Sequence, residues 1–426
     1  MSFNLQNKKL LILGGDSFSV DIVKTAQSMG IYTIVTDWYD TKRSPAKLVA
    51  DEYWDVSIED YDLLSLKIKE NNVDGVLTGF TDSYLLPYQH LCEINNLPSY
   101  GTKEQFEILT DKALYKEWCK RFGVPTIQQY NITSEDIQYP VIVKPVDGSG
   151  SRGLQICYNY TELQKAVVDS QKVSQKGEVI IERYMTGREV TVFWIFVDGK
   201  YYLSAIGNRH VKQNQGKDVI PLPVGYTFPS IVIPKYQKEV EENAKKMFSE
   251  LGIRNGMMFM QCKVEDETCY VYDIGYRLTG SMEYKLLDKV SGYNPIKMLI
   301  SFALTGKMGE QDIKEKVNPL TMQPCYNVSC LCAPGTIKEI NGCEQLKNQE
   351  RIIDTILTHY PGDTITEEMR GLLTQITVRV LGYVNSREEL FNSMQNIGNI
   401  IQIVSTKNEN LLLQGIQPED IEGMVI

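Results

Sequence analysis

The segment Tyr139–Gly153, YPVIVKPVDGSGSRG, constrains the fold more than any other part of the chain. Its apolar run Val141–Val143 is typical of a buried strand, and Lys144 ends that run. A loop with three glycines, two serines and one arginine follows. Because glycines let successive backbone amides approach an anion closely, this order of residues indicates a polyphosphate site. The alternative is a glycine-rich hairpin with a solvated lysine, and the G-K-[ST] ending of a Walker A loop is absent.

Length and composition are those of an ordinary globular protein. The 426 residues, of which 42% are hydrophobic and 23% charged, suggest roughly two to four domains. A formal net charge of -10 argues against a nucleic-acid partner. The sequence has no apolar run of the ~20 residues that span a bilayer, so we expect no membrane association. Nine cysteines without a CxxC pair or a signal-like N-terminus indicate reduced thiols and a cytoplasmic location.

Strand and helix signals alternate over residues 8–100. The helical spacing of apolar residues from Phe18 to Met29 separates the first two of three predicted strands, and the spacing of Leu63, Leu64, Leu66 and Ile68 suits a second helix. The predicted strands are Lys9–Leu13, Tyr32–Thr36 and Val73–Leu77. This rhythm predicts a parallel, doubly wound sheet.

The turn after the first strand leaves two further alternatives open. Asp37 follows this turn by about 20 residues, as in dinucleotide-binding folds, but the turn reads GGDSFS and lacks the G-x-G-x-x-G spacing. A nicotinamide-dependent oxidoreductase is therefore a minor alternative. Binding of a small carboxylate at the amides of Gly14–Ser17 is another.

The middle block, residues 102–308, carries most of the polar signals. Its predicted elements are the helices Asp111–Phe122 and Tyr236–Leu251 and the strands Val179–Glu182, Val190–Val197, Gly256–Val264 and Thr268–Ile274. If Asp266 and Glu267 form the turn between the last two strands, Gln261 and Asp273 lie opposite each other and project to one face. Side-chain oxygens placed in this way are suited to Mg²⁺.

Charged residues in this block match the needs of ATP. Lys112 and Lys144 are candidate cations for the phosphates, and Glu182 and Glu189 are candidate acceptors for the adenine amine and the ribose hydroxyls. Arg277 follows Asp273 by four residues and is able to bind a phosphate or carboxylate bidentately. Each of these residues alone is typical of a solvated surface charge, whereas the ordered set indicates a nucleotide site.

With these motifs the chain resembles the ATP-grasp superfamily, closest to carboxylate–amine ligases and to biotin-carboxylase-like and carbamoyl-phosphate-synthase-like members. The matching segments are TDKALYKEWCKRFGVPT, PVIVKPVDGSGSRG, VIIERYMTGREVTV and GMMFMQCKVEDETCYVYDIGYRLTGS. In residues 314–426, CLCAPGTIKEINGCEQL and GLLTQITVRVLGYVNSREELFNSMQNI resemble the C-terminal domain of amino-acid ligases.

The resemblance implies a fold of mixed α/β and α+β class. We expect a Rossmann-like N-terminal domain over residues 1–105 and an ATP-grasp domain of two α+β subdomains over residues 106–313. The mobile subdomain would cover about residues 125–205. A lid-like α+β domain over residues 314–426 would complete the chain.

The resemblance also implies a role for each matching residue. Lys112 and Lys144 would contact the phosphates, and the loop with Ser149 and Ser151 would cover them. The hinge residues Arg183 and Tyr184 would present backbone groups to adenine. The remaining implied roles are Glu182 for adenine, Glu189 for ribose, Gln261 and Asp273 for Mg²⁺ or Mn²⁺, and Lys144 and Arg277 for catalysis.

Two positions depart from the pattern of the family. Asp273 stands where a glutamate is usual, and Gly275 stands where an asparagine is usual. Glu283 is a candidate replacement ligand or substrate contact. Arg209 is a candidate for a substrate carboxylate, and a surface arginine is the equally good alternative.

The resemblance implies a ligase that activates a carboxylate as an acyl phosphate, joins it to an amine and releases ADP and phosphate. The expected partners are a small-molecule carboxylate, an amine and a second copy of the chain in a homodimer. Two alternatives stay open. A carboxylase would use bicarbonate, although the chain has no biotinyl Met-Lys-Met motif, and Gly275 motivates a non-catalytic ATP-binding sensor.

Overall fold

The computed structural model of the chain describes residues 4–148, 153–212, 222–309, 312–413, 415–417 and 420–426. The N-terminal segment alternates strands and helices, as its sequence predicts. Its elements are β1 (Lys9–Leu13), α1 (Ser19–Ser28), β2 (Tyr32–Thr36), β3 (Glu52–Trp54), α2 (Tyr61–Asn71), β4 (Gly75–Leu77) and α3 (Leu85–Ile94). The strands form a parallel sheet in the order β3-β2-β1-β4. The short strand β3 was not predicted.

A helix from much later in the chain covers one side of this sheet. Helix α10 (Pro295–Thr305) is almost entirely apolar and packs against α1, β1 and β4. The approach is close at Gly75, where a Cβ atom would lie 2.3 Å from the carbonyl oxygen of Ala303. Glycine at the start of β4 therefore lets the helix backbone contact the sheet.

A small antiparallel sheet forms the second unit. Its elements and the helices beside it are α4 (Lys103–Thr110), α5 (Lys112–Arg121), β5 (Gln129–Tyr130), β6 (Val141–Pro145), β7 (Gln155–Cys157), α6 (Tyr160–Val173) and β8 (Val179–Arg183). The strand order is β5-β8-β6-β7. The side chain of Asp111 caps the N-terminus of α5 by accepting from the amides of Ala113 and Leu114, which fixes the helix beginning at Lys112.

The largest sheet is antiparallel and has the order β13-β12-β9-β10-β11-β14-β18-β16 in the described ranges. Its first half contains β9 (Glu189–Val197), β10 (Lys200–Lys212), β11 (Leu222–Phe228), β12 (Gly256–Glu265) and β13 (Thr268–Gly275). Helices α7 (Ile233–Glu239), α8 (Glu241–Glu250), α9 (Glu283–Ser291) and α10 belong to the same stretch. Strand β9, EVTVFWIFV, is rich in β-branched and aromatic residues and is buried over most of its length, as suits a central strand.

The C-terminal strands extend this large sheet. The elements are α11 (Ile313–Lys316), β14 (Cys325–Leu331), β15 (Gly335–Asn341), α12 (Cys343–Lys347), β16 (Ile352–Leu357), β17 (Thr364–Ile365), β18 (Ile376–Tyr383), α13 (Arg387–Ile400) and β19 (Gln402–Ser405). Strands β17, β15 and β19 form a separate small sheet. Because β14, β18 and β16 continue the large sheet, alternate side chains of these three strands lie on the same face as alternate side chains of β9 to β13.

One predicted helix is wrong in its extent. The sequence predicts a single helix over Tyr236–Leu251, whereas the structure has α7 and α8 meeting at Val240. Val240 is buried and has a φ of −122°, outside the helical region. The apolar residues of both helices still pack on one side, so the helical periodicity predicted the buried face but not the break.

The nine cysteines are free, and eight of them are buried. Among the described residues, no helix combines the length and the apolar character needed to cross a bilayer.

Candidate functional site

The predicted metal ligands lie opposite each other on the large sheet. Strands β12 and β13 pair in a register that places Gln261 beside Asp273, and Gln261 also pairs with Thr191 of β9. Asp266 and Glu267 have positive φ angles and form the turn between the strands, as the sequence predicts. The pairing prediction is therefore confirmed, and the two side chains share one face of the sheet.

Lys112 connects this face to the small sheet. Its Nζ donates to the carbonyl oxygen of Gly148, at 2.5 Å, and lies 4.0 Å from Oδ1 of Asp273. Burial raises the pKa of Asp273 although 37% of its side chain is exposed, and Lys112 opposes that rise. Lys112 therefore lies between the beginning of the glycine loop and the predicted metal ligand.

A second cluster consists of Lys116, Glu182 and Lys144. Lys116 pairs with one carboxylate oxygen of Glu182, and Lys144 Nζ lies 2.8 Å from the other. The side chains of Lys116 and Glu182 have no exposed surface, and that of Lys144 is 7% exposed. Burial raises the pKa of Glu182, but Lys144 and Lys116 outweigh this effect and hold it below the ordinary value.

This cluster changes what Glu182 is able to do. The sequence assigns its carboxylate to the adenine amine, whereas in the structure both carboxylate oxygens face lysines and none of the side chain is exposed. The adenine contact of Glu182 stays a prediction, and it requires at least one of these ion pairs to open. Burial also lowers the pKa of Lys116, and Glu182 opposes that shift.

A third cluster surrounds Glu189, the predicted ribose acceptor. Its carboxylate pairs with Arg209, lies 2.7 Å from Nζ of Lys263 and accepts from the Tyr272 hydroxyl at 3.0 Å. Burial raises the pKa of Glu189, but Arg209 and Lys263 hold it below its ordinary value. Arg209 also donates to the Tyr226 hydroxyl at 3.2 Å. The structure thus places Arg209 beside the predicted ribose position, and its substrate contact stays a prediction.

The Gly275 position has a steric explanation. A Cβ atom at Gly275 would lie 2.2 Å from the Phe259 ring, which occupies the space next to it. Gly275 and Phe259 are paired across β12 and β13. The guanidinium of Arg277 lies over the same ring, 5.0 Å from its centroid. An asparagine side chain therefore does not fit here unless Phe259 moves.

Arg277 is held by the N-terminal segment. Its Nε and Nη2 each donate to an oxygen of Asp82 at 2.6 Å, and Nη1 donates to the carbonyl oxygen of Leu278. Asp82 begins the short 3-10 helix Asp82–Tyr84 between β4 and α3. This bidentate pair fixes the orientation of the guanidinium and joins the N-terminal segment to the site.

Glu283 lies near the beginning of α9 and is almost fully buried. Its carboxylate accepts from the hydroxyls of Thr279 and Ser281. Burial raises its pKa, and these hydrogen bonds oppose the rise. The structure does not bring Glu283 into the Asp273 cluster, since its partners are the neighbouring hydroxyls, and its role as a ligand or substrate contact remains a prediction.

The two predicted hinge residues have partners within the chain. Arg183 pairs with Glu265 at 2.8 Å, and the amide of Tyr184 donates to the carbonyl oxygen of Pro140. The Tyr184 amide therefore has a partner within the chain. Ser149 and Ser151 lie outside the described residues.

Several amides of the glycine turn after β1 already have partners within the chain. The amide of Gly15 donates to Asp37 at 3.0 Å, and those of Phe18 and Ser19 donate to Asp16. Within Gly14–Ser17, the amide of Gly14 donates to the carbonyl oxygen of Thr36 and that of Gly15 to Asp37. A carboxylate site at this turn stays a prediction, and these two amides already have partners within the chain.

Several residues of the site were missed by the sequence analysis. Lys116 follows Lys112 by one helical turn, so helical periodicity places both side chains on one face of α5. Lys263 follows Gln261 by two residues, so the alternation of a strand places both side chains on one face of β12. Asp82 has no comparable local signal, because its partner Arg277 is 195 residues away.

The donors at the predicted metal position suit one Mg²⁺. A carboxylate and an amide oxygen share the face, and Mg²⁺ is commonly held by one or two carboxylates together with substrate phosphates. Within the described part of the chain, no group of three or more His, Cys, Asp or Glu side chains is placed to hold a metal. Gln261 and Asp273 therefore fit an ion that arrives with a nucleotide.

Comparison with known proteins gives a family match. Residues 137–282 match the model of the ATP-grasp domain. The large chain of carbamoyl phosphate synthase from Clostridium beijerinckii is 24% identical over 327 residues, which cover 71% of this chain and 30% of that protein. The small subunit of 2-oxoglutarate carboxylase from Hydrogenobacter thermophilus is 23% identical over 339 residues, 72% of this chain and 69% of that protein. The chain spans less than a third of the carbamoyl phosphate synthase relatives.

Solved structures share the fold over almost the whole chain. An L-amino acid ligase from Bacillus licheniformis has a TM-score of 0.77 at 19% identity and covers 94% of this chain and 99% of its own. A second similar structure is the biotin carboxylase domain dimer of the Hydrogenobacter thermophilus 2-oxoglutarate carboxylase, solved with MgADP, ADP and bicarbonate. It has a TM-score of 0.76 at 16% identity, and the match covers 96% of this chain and 92% of that chain. These similarities confirm the predicted fold class.

Proposed function

We propose that this chain, whose residues 137–282 match the ATP-grasp domain, is an ATP-dependent ligase that activates a carboxylate as an acyl phosphate and joins it to an amine. The position of Lys112 is the observation that supports this most. Its Nζ lies between the carbonyl oxygen of Gly148 and the carboxylate of Asp273. A cation at this point is suited to phosphates that lie between the glycine loop and the large sheet.

In the first step, an oxygen of the substrate carboxylate attacks the γ-phosphorus of ATP. The bond from that phosphorus to the β–γ bridging oxygen breaks, and ADP leaves with the electron pair. Lys112 and Lys144 would stabilise the charge on the transferring phosphoryl group. When bound at Gln261 and Asp273, Mg²⁺ would neutralise phosphate charge.

In the second step, the amine attacks the acyl carbon and phosphate leaves, while the amine loses a proton. Arg277 is positioned by Asp82 and would hold the acyl phosphate. Because an acyl phosphate hydrolyses readily, the site must exclude water. The loop that begins at Gly148 is the proposed cover.

A phosphate-release screen tests the proposal. Amino acids and small acids are combined in pairs with ATP and MgCl₂, and both released phosphate and the nucleotide product are measured. We expect phosphate and ADP to form in equal amounts with one class of pairs and not with either compound alone. A mock purification from cells that lack the gene is the control for contaminating ATPases. Formation of AMP and pyrophosphate, or release that needs only bicarbonate, would contradict a carboxylate–amine ligase.

The ring of Phe259 beside Gly275 favours a second candidate, a non-catalytic ATP sensor, because it takes the space of a metal-ligating side chain. Binding and turnover separate the two functions. ATP binding by titration calorimetry together with no phosphate release from any pair would support the sensor. Phosphate release with a specific pair would exclude it.

We also propose a cytoplasmic location and a homodimer. The nine cysteines are free, which suits a reducing compartment. The Hydrogenobacter thermophilus structure is described as a dimer. Sedimentation velocity of the full chain would test the assembly, and a single species at the monomer mass would contradict it.

A further inference from the structure

Arg379 on β18 is a buried cation without a carboxylate partner. It is 8% exposed, and among the described residues it forms no ion pair. Its Nη1 lies 3.4 Å from Oγ of Ser329, and its Nε has no hydrogen-bond partner. Burying a charge is costly unless it is paired, so this position needs an explanation beyond packing.

The strand register places Arg379 on the same face of the sheet as the site described above. Arg379 pairs with Ser329 of β14, and Asn327, two residues earlier, pairs with Tyr226 of β11. Tyr226 in turn pairs with Arg209, and Arg209 pairs with Glu189. Because paired residues and residues two apart in a strand share a face, the Arg379 and Glu189 side chains project to the same side.

Two tyrosines define the surroundings of the guanidinium. Tyr226 and Tyr284 are the titratable groups that interact with it, and burial lowers the pKa of Arg379 despite them. The Tyr226 hydroxyl accepts from Arg209, whereas the Tyr284 hydroxyl donates to Asp21 at 2.7 Å. Through these two hydroxyls, Arg379 is linked to the Glu189 cluster on one side and to the N-terminal segment on the other.

We propose that Arg379 is a specificity-determining residue that binds a substrate carboxylate other than the one that is activated. This inference rests on the proposed ligase function and adds to it. The activated carboxylate must lie at the phosphates, beside Lys112 and Arg277, so a separate buried guanidinium on the same face is suited to a second anionic group. A planar carboxylate pairs bidentately with arginine and would supply the missing counter-charge.

The first test measures stability and does not depend on turnover. Arg379→Met removes the unpaired charge while keeping most of the side-chain volume, so we expect the midpoint of urea unfolding to rise or stay unchanged. Arg277→Met is the control, because Arg277 is also largely buried but pairs with Asp82, so its loss should lower the midpoint. A lower midpoint for Arg379→Met, equal to that of the control, would indicate a structural role and overturn the proposal.

The second test uses an acid and amine pair identified by the phosphate-release screen. Each non-activated carboxylate is replaced in turn by its carboxamide, first on the amine substrate and then on the acid substrate. For the wild type, we expect one replacement to raise KM roughly 10- to 150-fold, as for a hydrogen bond to a charged group. The arm that shows the effect identifies which substrate carries the bound carboxylate.

In Arg379→Met, the carboxylate and the carboxamide should have similar KM values, with kcat changed little. Equal discrimination by the variant and the wild type would overturn the role of Arg379 while leaving the ligase function intact. If the wild type releases no phosphate with any pair, the ligase proposal fails. The urea comparison still decides whether Arg379 stabilises the fold.

Discussion

Glu182 provides the sharpest test of the buried charge cluster. Changing Glu182 to glutamine leaves the ammonium groups of Lys116 and Lys144 facing each other, with side-chain exposures of 0% and 7%. Breaking a buried ion pair by removing one partner costs about 3–5 kcal/mol. For a unit of about 200 residues, a loss of 1 kcal/mol shifts Tm by roughly 2–4 °C, so we expect Tm to fall by roughly 6–20 °C.

Changing Lys116 to methionine should lower the stability less than Glu182→Gln does, because Lys144 still pairs with Glu182 at 2.8 Å. In the Glu182→Gln background the same change should be stabilising, since it then removes an uncompensated buried charge. Differential scanning calorimetry of the two single variants and the double variant measures this reversal of sign. Lys120→Met is the matched control, because Lys120 is exposed one turn further along α5. A Lys116→Met effect that is equal in both backgrounds would refute the interaction.

Three further predictions concern the nucleotide and metal positions. Lys144→Ala should weaken ATP binding roughly tenfold or more in titration calorimetry, and wild-type affinity would refute the phosphate contact. Because burial raises the pKa of Asp273, this carboxylate should be protonated at a higher pH than an ordinary aspartate. Turnover should therefore fall as the pH decreases and Asp273 becomes protonated. Asp273→Asn should remove this acidic limb while sparing ATP binding more than turnover, and an unchanged pH profile would contradict the assignment. Gly275→Asn should lower Tm without improving Mg²⁺ affinity, because its side chain meets the Phe259 ring; tighter Mg²⁺ binding at unchanged Tm would refute the steric argument.

The parts of the fold that could be predicted are those with local periodicity. The alternation of side chains along β12 and β13, together with a turn at Asp266 and Glu267, is enough to place Gln261 opposite Asp273. The helical spacing after Tyr236 predicted the buried face of α7 and α8 but not the break at Val240, because tertiary packing decides such a break. Local signals therefore predicted element types and faces better than element ends.

The charge pairs could not be predicted in the same way. Asp82 and Arg277 meet through the packing of two units that are far apart in sequence, and neither position shows a repeating pattern. Similarly, the sequence does not show that the Glu182 carboxylate is buried between two lysines. The identity of a cation's partner depends on which surfaces meet, and only the folded structure provides that information.

Oxygen transfer tests the proposed chemistry most directly. An acid that supports phosphate release in the screen is prepared with ¹⁸O at both carboxylate oxygen positions. It is incubated with its amine, unlabelled ATP and MgCl₂, and the released phosphate is analysed by mass spectrometry. If the carboxylate attacks the γ-phosphorus, each phosphate released during product formation carries one ¹⁸O atom. Unlabelled phosphate alongside normal product formation would show that no acyl phosphate forms and would contradict the proposed function.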